Sequence, residues 1–224
     1  MRVGVKMKIE LKKGYAETVC NALRQAAYCQ RKVLRPIAVK IGDSSNVLAM
    51  GPLVLEDSIE FTSNLISLDF KTNREFKEDE IIEVTNVCTD VVRLKDLING
   101  DISVYNGNLE QEFLHFVNSA NPISMPVTIY YRYSSGNATI EDNTYALAAF
   151  LNNGASMKID RSIVLLNSRF NDIKAFGFEV NKDNLDKDIV TFNIVSKTDV
   201  EPGTILKEAA DSLIATLTDV KASL

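Results

Sequence analysis

The first thirty residues, MRVGVKMKIELKKGYAETVCNALRQAAYCQ (1–30), change their hydrophobic period once, and that change decides the fold class. Val3, Val5, Met7, Ile9 and Leu11 alternate with polar or small residues, the period of two of a strand with one buried face. Gly14 punctuates. From residue 15 to about residue 30, Val19, Ala22, Leu23, Ala26 and Ala27 recur at three-and-four spacing, which lays an apolar stripe along one side of a helix. Pro36 is expected to end that run. Ile37, Val39 and Ile41 then alternate as a second strand, and Gly42-Asp43-Ser44-Ser45-Asn46 supplies turn chemistry.

The far end of the chain is equally clear. Short strands are expected at 163–166, 176–180 and 189–195, after which Glu201-Pro202-Gly203 opens a long helix. Its apolar positions Leu206, Ala210, Leu213, Leu217, Val220 and Leu224 are separated by four, three, four, three and four residues, the narrow seam of helix-on-helix packing. Periodicity leaves open whether the partner helix belongs to the same chain or another. Between the two ends lie strand-like runs at 81–87 and 127–133, in which Val127, Ile129, Tyr131 and Tyr133 share one face, and a helix between residues 56 and 68. Asn/Gly/Ser clusters at 99–100, 106–108, 134–137 and 152–154 separate them. That punctuation suits an α+β fold of small strands and hairpins, not a parallel sheet.

Composition narrows the function classes. The 224 residues carry 25 Lys+Arg against 30 Asp+Glu, a net charge of −5, so the chain has no basic surplus for neutralising phosphates. Cys20, Cys29 and Cys88, with one histidine, are an odd thiol set for a disulfide framework and too few soft ligands for structural zinc, which points to a reducing compartment. No run approaches the roughly 18 consecutive apolar residues of a membrane span, and the N-terminus lacks the apolar core of a signal peptide.

Catalytic motifs are sparse. His115 has no His or Cys at ligand spacing and no nucleophile motif beside it, so it reads as structural. Glu78-Asp79-Glu80 and the acidic run 183–188 lack the spacing of a calcium loop and read as solvated. Tyr130, Tyr131 and Tyr133 beside Arg132 would suit base stacking, but alternate as sheet residues do. No cofactor, metal or catalytic residue is assigned.

Four ordered motifs carry a resemblance. GYAETVCNALR (14–24) resembles the GYxxTLGNALRR helix of the alpha subunit of bacterial-type DNA-directed RNA polymerase, with Cys20 for a Gly and Gln25 for the second Arg. EDSIEFTSNL (56–65) resembles the family's EDxxEIxxNL. Ile159-Asp160 followed by Phe176-Gly177-Phe178-Glu179-Val180 resembles its ID…VNYEVE return. DKDIVTFNIVSKTDVEPGTILKEAA (186–210) resembles DxDxLTLEVxTNGSIxPEEALxEAA without a gap. In the middle, Ser134-Ser135-Gly136-Asn137-Ala138 stands where the family carries GRGYVPA.

The resemblance implies a non-catalytic alpha-like subunit that dimerises and serves as the assembly platform for the beta and beta-prime subunits. It implies a discontinuous dimerisation domain of a sheet plus two helices, residues 1–48 and 164–224, with an inserted mainly β domain at 49–163. The implied dimer interface comprises Val19, Ala22, Ala26, Leu206, Ala210, Leu213, Leu217 and Val220. Asn21, Leu23 and Arg24 would meet a large subunit, with Arg35 and Lys158 ranked below them. The partners would be a second alpha-like protomer, the same chain or a smaller relative, and the two large subunits, with DNA met only through the complex and no membrane contact. The compartment would be cytoplasmic and nucleoid-associated, or plastid stroma. The family's DNA-binding C-terminal domain has no counterpart within these 224 residues. A structural or clamp-like protein of a virus or mobile element is the alternative; it shares the acidic balance but gives no reason for the GYxxT…NALR stretch at 14–24 or for the register from Pro202 to Ala210.

Overall fold

A computed structural model of the chain describes residues 5–42, 54–105, 107–117, 124–154, 156 and 158–224. In chain order the elements are β1 (Val5–Lys12), α1 (Ala16–Gln30), β2 (Val33–Ile41), α2 (Ser58–Ile66), β3 (Phe70–Thr72), β4 (Ile81–Thr89), β5 (Val91–Arg93), α3 (Leu94–Leu97), β6 (Ile102–Val104), β7 (Glu112–His115), β8 (Ser124–Ser134), β9 (Gly136–Ala138), α4 (Ile140–Leu151), β10 (Ile163–Leu165), β11 (Ser168–Phe170), β12 (Ile173–Asn181), β13 (Lys187–Ser196) and α5 (Pro202–Ser223). The fold is α+β with antiparallel sheets. It divides into two compact units, Met1–Arg31 with Asn171–Leu224, and Lys32–Phe170. The turn expected at 42–46 lies outside the described residues from position 43 onward, and so does Val3 of the expected first strand.

The first unit is a three-stranded sheet in the order β1-β13-β12. β1 runs antiparallel to β13 from Val5 opposite Ile194 to Lys12 opposite Lys187, so strands some 180 residues apart in sequence zip along their whole length. Val190, Phe192 and Ile194 of β13 and Phe176 of β12 are buried on one face, with Met7, Ile9 and Leu11 packed beside them. Lys6, Lys8 and Lys12 stay on the other face, where Lys187 Nζ meets Glu10 at 2.6 Å. Two helices cover the apolar face. Of α1, Ala16, Cys20, Leu23 and Ala27 are buried, at spacings of four, three and four. That stripe is offset from the one the sequence marks. Val19, Ala22 and Ala26 sit at its flank, half-buried, because the small Ala16, Cys20 and Ala27 let the helix approach the sheet most closely there. α5 starts with Pro202 in its first turn, where a missing N–H costs nothing, and buries only Ile205 and Ala209.

The second unit is built on a four-stranded sheet, β10-β2-β8-β4, with three two-stranded pairs, β11-β9, β3-β6 and β5-β7. β2, which the resemblance would assign to the dimerisation domain, pairs here with β8 and β10. Two expectations need correction. Pro36 does not terminate α1: the helix stops at Gln30, and Pro36 lies inside β2 at a register shift between Pro36 and Ala38, a bulge that tolerates the missing N–H. The bulge also reverses the strand's facing. Leu34, Val39 and Ile41 enter one apolar cluster, with Phe61 and Leu65 of α2 and Leu94 and Leu97 of α3. Ile37 and Ala38 enter another, with Leu147 of α4 and Phe170. So Ile37 does not share a face with Val39 and Ile41. On β8 the expected face holds: Val127, Ile129 and Tyr131 enter the first cluster with Tyr133 packed against it, while Tyr130, on the other face, enters the second. Helices on both faces turn these strands into nearly continuous buried runs.

Candidate functional site

The surface that stands out in the first unit is the paired face of α1 and α5. Ala22, Gln25, Ala26, Cys29 and Gln30 of α1 and Ser212, Leu213 and Thr216 of α5 line an open groove of about 400 Å³. Small side chains on α1 and a four-residue step on α5 make it shallow and mostly apolar. Beyond Leu213, α5 leaves its own core: Ile214 is 63% exposed, Leu217 65% and Val220 50%, and Leu224 is exposed as well.

The seam expected on α5 is therefore split. Leu206, Ala210 and Leu213 pack against the chain's own cluster, together with Val19 and Ala26. Leu217 and Val220 are bare. A helix that carries apolar residues past the end of its own core exposes a face that water solvates poorly.

The residues expected to meet a large subunit separate in the same way. Asn21 and Arg24 lie exposed on α1, where an Arg24 guanidinium nitrogen donates to Asn21 Oδ1 at 3.0 Å and the guanidinium stands 5.9 Å from the centre of the Phe178 ring of β12. Leu23 is not beside them on the surface. At 6% exposed it belongs to the core stripe of α1, one residue round the helix from Arg24, and its apolar side chain is already in use. Arg35 is internal as well, donating to Leu68 O at 2.6 Å and to Asp69 at 2.9 Å in the second unit.

Two features that position this face are not read from periodicity. First, the buried Asp188 of β13 accepts a hydrogen bond from Gly14 N at 2.9 Å. Gly14 has φ +84°, so the turn from β1 into α1 requires a residue without a Cβ and is held by a carboxylate from the far end of the chain. The GY and DKD motifs, 174 residues apart, are two halves of one contact. Second, Arg31, immediately after α1, reaches Asp172 at 2.6 Å and Glu208 of α5 at 2.5 Å. Asp172 is itself buried and also accepts from Thr198 Oγ1 at 3.2 Å. One guanidinium ties α1 to α5 and to the segment before β12. The only sequence trace of it is a basic residue at the end of α1, where a cation complements the helix dipole.

In the second unit the acidic run at 78–80 is internally paired: Lys32 with Glu78 at 2.8 Å, Arg132 with Asp79 at 2.8 Å and Arg74 with Glu80 at 2.7 Å. Tyr131 is fully buried with its hydroxyl donating to Leu97 O at 2.7 Å, and Tyr130 is buried too, so neither ring is presented for base stacking. Among the described residues no group of three or more His, Cys, Asp or Glu side chains is placed to hold a metal ion, and no helix is long and apolar enough to cross a membrane. His115 lies between Glu56 and Glu112.

Comparison with protein-family models and with curated proteins returns no match for this sequence.

Proposed function

We propose that this chain is a non-catalytic alpha-like subunit of a multisubunit DNA-directed RNA polymerase. In this reading it dimerises through α1 and α5 and serves as the platform on which the beta and beta-prime subunits assemble. The observation that carries the reading is the bare apolar half of α5, Ile214, Leu217 and Val220, beside an open apolar groove on the same pair of helices. Each large apolar side chain fully buried there contributes roughly 1.5–3 kcal/mol, so a second protomer offering the same face gains several such increments. The four ordered motifs support the family, and in this reading the unit built from both chain ends, Met1–Arg31 with Asn171–Leu224, would serve as the dimerisation domain and the remainder as its insert.

Asn21 and Arg24 are the proposed large-subunit contacts, already pre-oriented by their mutual hydrogen bond. Nucleotidyl transfer would belong to the large subunits, DNA would be met only through the complex, and the compartment would be the cytoplasm or a plastid-type stroma.

The test has two arms. Native purification of the chain brings two large subunits with it; recovery of a lone oligomer sinks the polymerase reading and favours the structural-protein alternative. Leu217→Asp with Val220→Asp gives a folded monomer by sedimentation, because both residues lie outside the chain's own core. A dimer of unchanged strength places the interface elsewhere. Arg24→Ala keeps the dimer and loses capture of the beta subunit, and capture at full strength removes Arg24 from the contact.

A further inference from the structure

The histidine of the second unit does work that the assembly reading does not use. The chain leading into α2 lies against β7: Val54 bridges to Phe116, and Leu55 N donates to His115 O at 2.9 Å. Glu56 then folds back. One of its oxygens, Oε2, accepts from His115 N at 2.7 Å, and the other stands 2.5 Å from His115 Nδ1. Glu112, three residues earlier on β7, places Oε2 3.1 Å from the opposite ring nitrogen, Nε2. One residue later Asp57 caps α2 by accepting from Glu60 N at 2.7 Å.

An imidazole with a carboxylate on each nitrogen satisfies both only when it is the imidazolium, which donates from both sides. The neutral ring carries a single N–H. One carboxylate then faces a lone pair, and the other contact loses its charge.

We propose that His115, Glu56 and Glu112 form a pH-sensitive clasp that fastens the lead-in to α2 onto β7, closed while the imidazole is doubly protonated and loosened when it loses a proton. The charged groups around it support that assignment. Besides the two carboxylates, Arg93 of the neighbouring β5 stands 3.3 Å from Glu112 and 3.6 Å from Glu110, and Lys95 pairs with Glu110 at 2.8 Å. Asp90, before β5, offers its backbone carbonyl to Phe116 N at 2.8 Å, and Asp57 and Glu60 belong to the N-terminus of α2. Of the described cations, Arg93 and Lys95 are drawn to the glutamates and not to the ring, so the field at the imidazole is negative.

The hydrogen bonds that the ring donates to Glu56 and Glu112 raise the histidine's pKa above its ordinary 6.5, outweighing a smaller effect of burial. Burial pushes Glu56 up, but the backbone and ring bonds from His115 outweigh it and leave that carboxyl below its ordinary 4.5. The signs define a window. The histidine's contribution is complete below about pH 6.5 and is lost as pH rises through the raised folded value. The Glu56 contribution is present above about pH 4.5 and is lost as pH falls through the lowered one.

Because the chain has one histidine, the test is a direct NMR titration of the full-length protein, with hydrogen exchange at the Leu55 and His115 amides read against intrinsic rates. The expected midpoint lies above 6.5, and Glu112→Gln lowers it. Protection of the two amides falls by up to about tenfold per pH unit beyond the midpoint, the limit for one linked proton. Glu112 is exposed, so its variant folds; Glu56→Gln adds a second arm where it folds. A midpoint at or below 6.5, a midpoint unmoved by Glu112→Gln, or protection that does not change with pH overturns the clasp. None of these outcomes touches dimerisation or polymerase assembly, which are read by separate experiments.

Discussion

Arg31 shows how a single side chain can set a surface it does not line. Its guanidinium holds the buried Asp172 and the half-exposed Glu208, and removing it takes from the buried carboxylate the guanidinium it pairs with. Breaking such a pair from one side costs about 3–5 kcal/mol when both partners are fully buried. With Arg31 partly solvated, Arg31→Met is expected to cost about 3 kcal/mol in urea unfolding. The double variant Arg31→Met, Asp172→Asn costs less than the single one, since a neutral amide needs no counter-charge; equal losses would show that the charge on Asp172 is not what Arg31 answers. Asp188→Ala, which strips the acceptor from the Gly14 turn, is expected to cost about 1–3 kcal/mol by the same measurement. Sequence patterns mark Gly14 and Asp188 separately. They cannot state the bond between them, because a contact spanning 174 residues exists only once β1 and β13 are in register.

At the scale of elements, the strongly periodic pieces were legible and the short ones were not. β1, α1 and α5 follow their patterns to within a few residues, because an amphipathic stripe is a local property. β2 departs because the bulge after Pro36 inverts its facing, and a bulge has no signature in an apolar run. α4 carries a readable start, Thr139 followed three residues later by Asp142, yet the Asn/Gly-rich stretches on either side favour a loop in any local reading. That capping box gives its own prediction. Thr139 Oγ1 accepts from Asp142 N at 3.1 Å and Asp142 Oδ2 accepts from Thr139 N at 2.8 Å, so Thr139→Ala costs about 1 kcal/mol of stability in denaturant unfolding. On α5, the division between Leu213 and Leu217 separates two substitutions that the heptad treats alike. Leu213→Asp damages the protomer's own core and lowers its melting temperature, whereas Leu217→Asp leaves thermal unfolding of the monomer unchanged.

For the whole molecule, the thiols report which surfaces are open. Cys29 is exposed in the groove, while Cys20 and Cys88 are buried, with burial pushing each thiol up to about 11. A thiol reagent at neutral pH is expected to modify Cys29 rapidly and the other two only after unfolding. If the proposed dimer forms on this face, the fast phase slows as protein concentration rises; a rate independent of concentration would separate Cys29 from the interface. The proposed interface was legible as a seam but not as a split seam, since periodicity cannot say where a helix outruns the sheet beneath it. The pairing of β1 with β13 has one more consequence, in the order of events on the ribosome. Lys32–Phe170 is contiguous and can fold as it emerges, but β1 has no partner strand until β13 has been made. At about 5–20 residues per second, the amphipathic β1 and α1 wait roughly 10–35 s with their apolar stripes open to solvent. During synthesis that nascent segment is the part of the chain most in need of a chaperone.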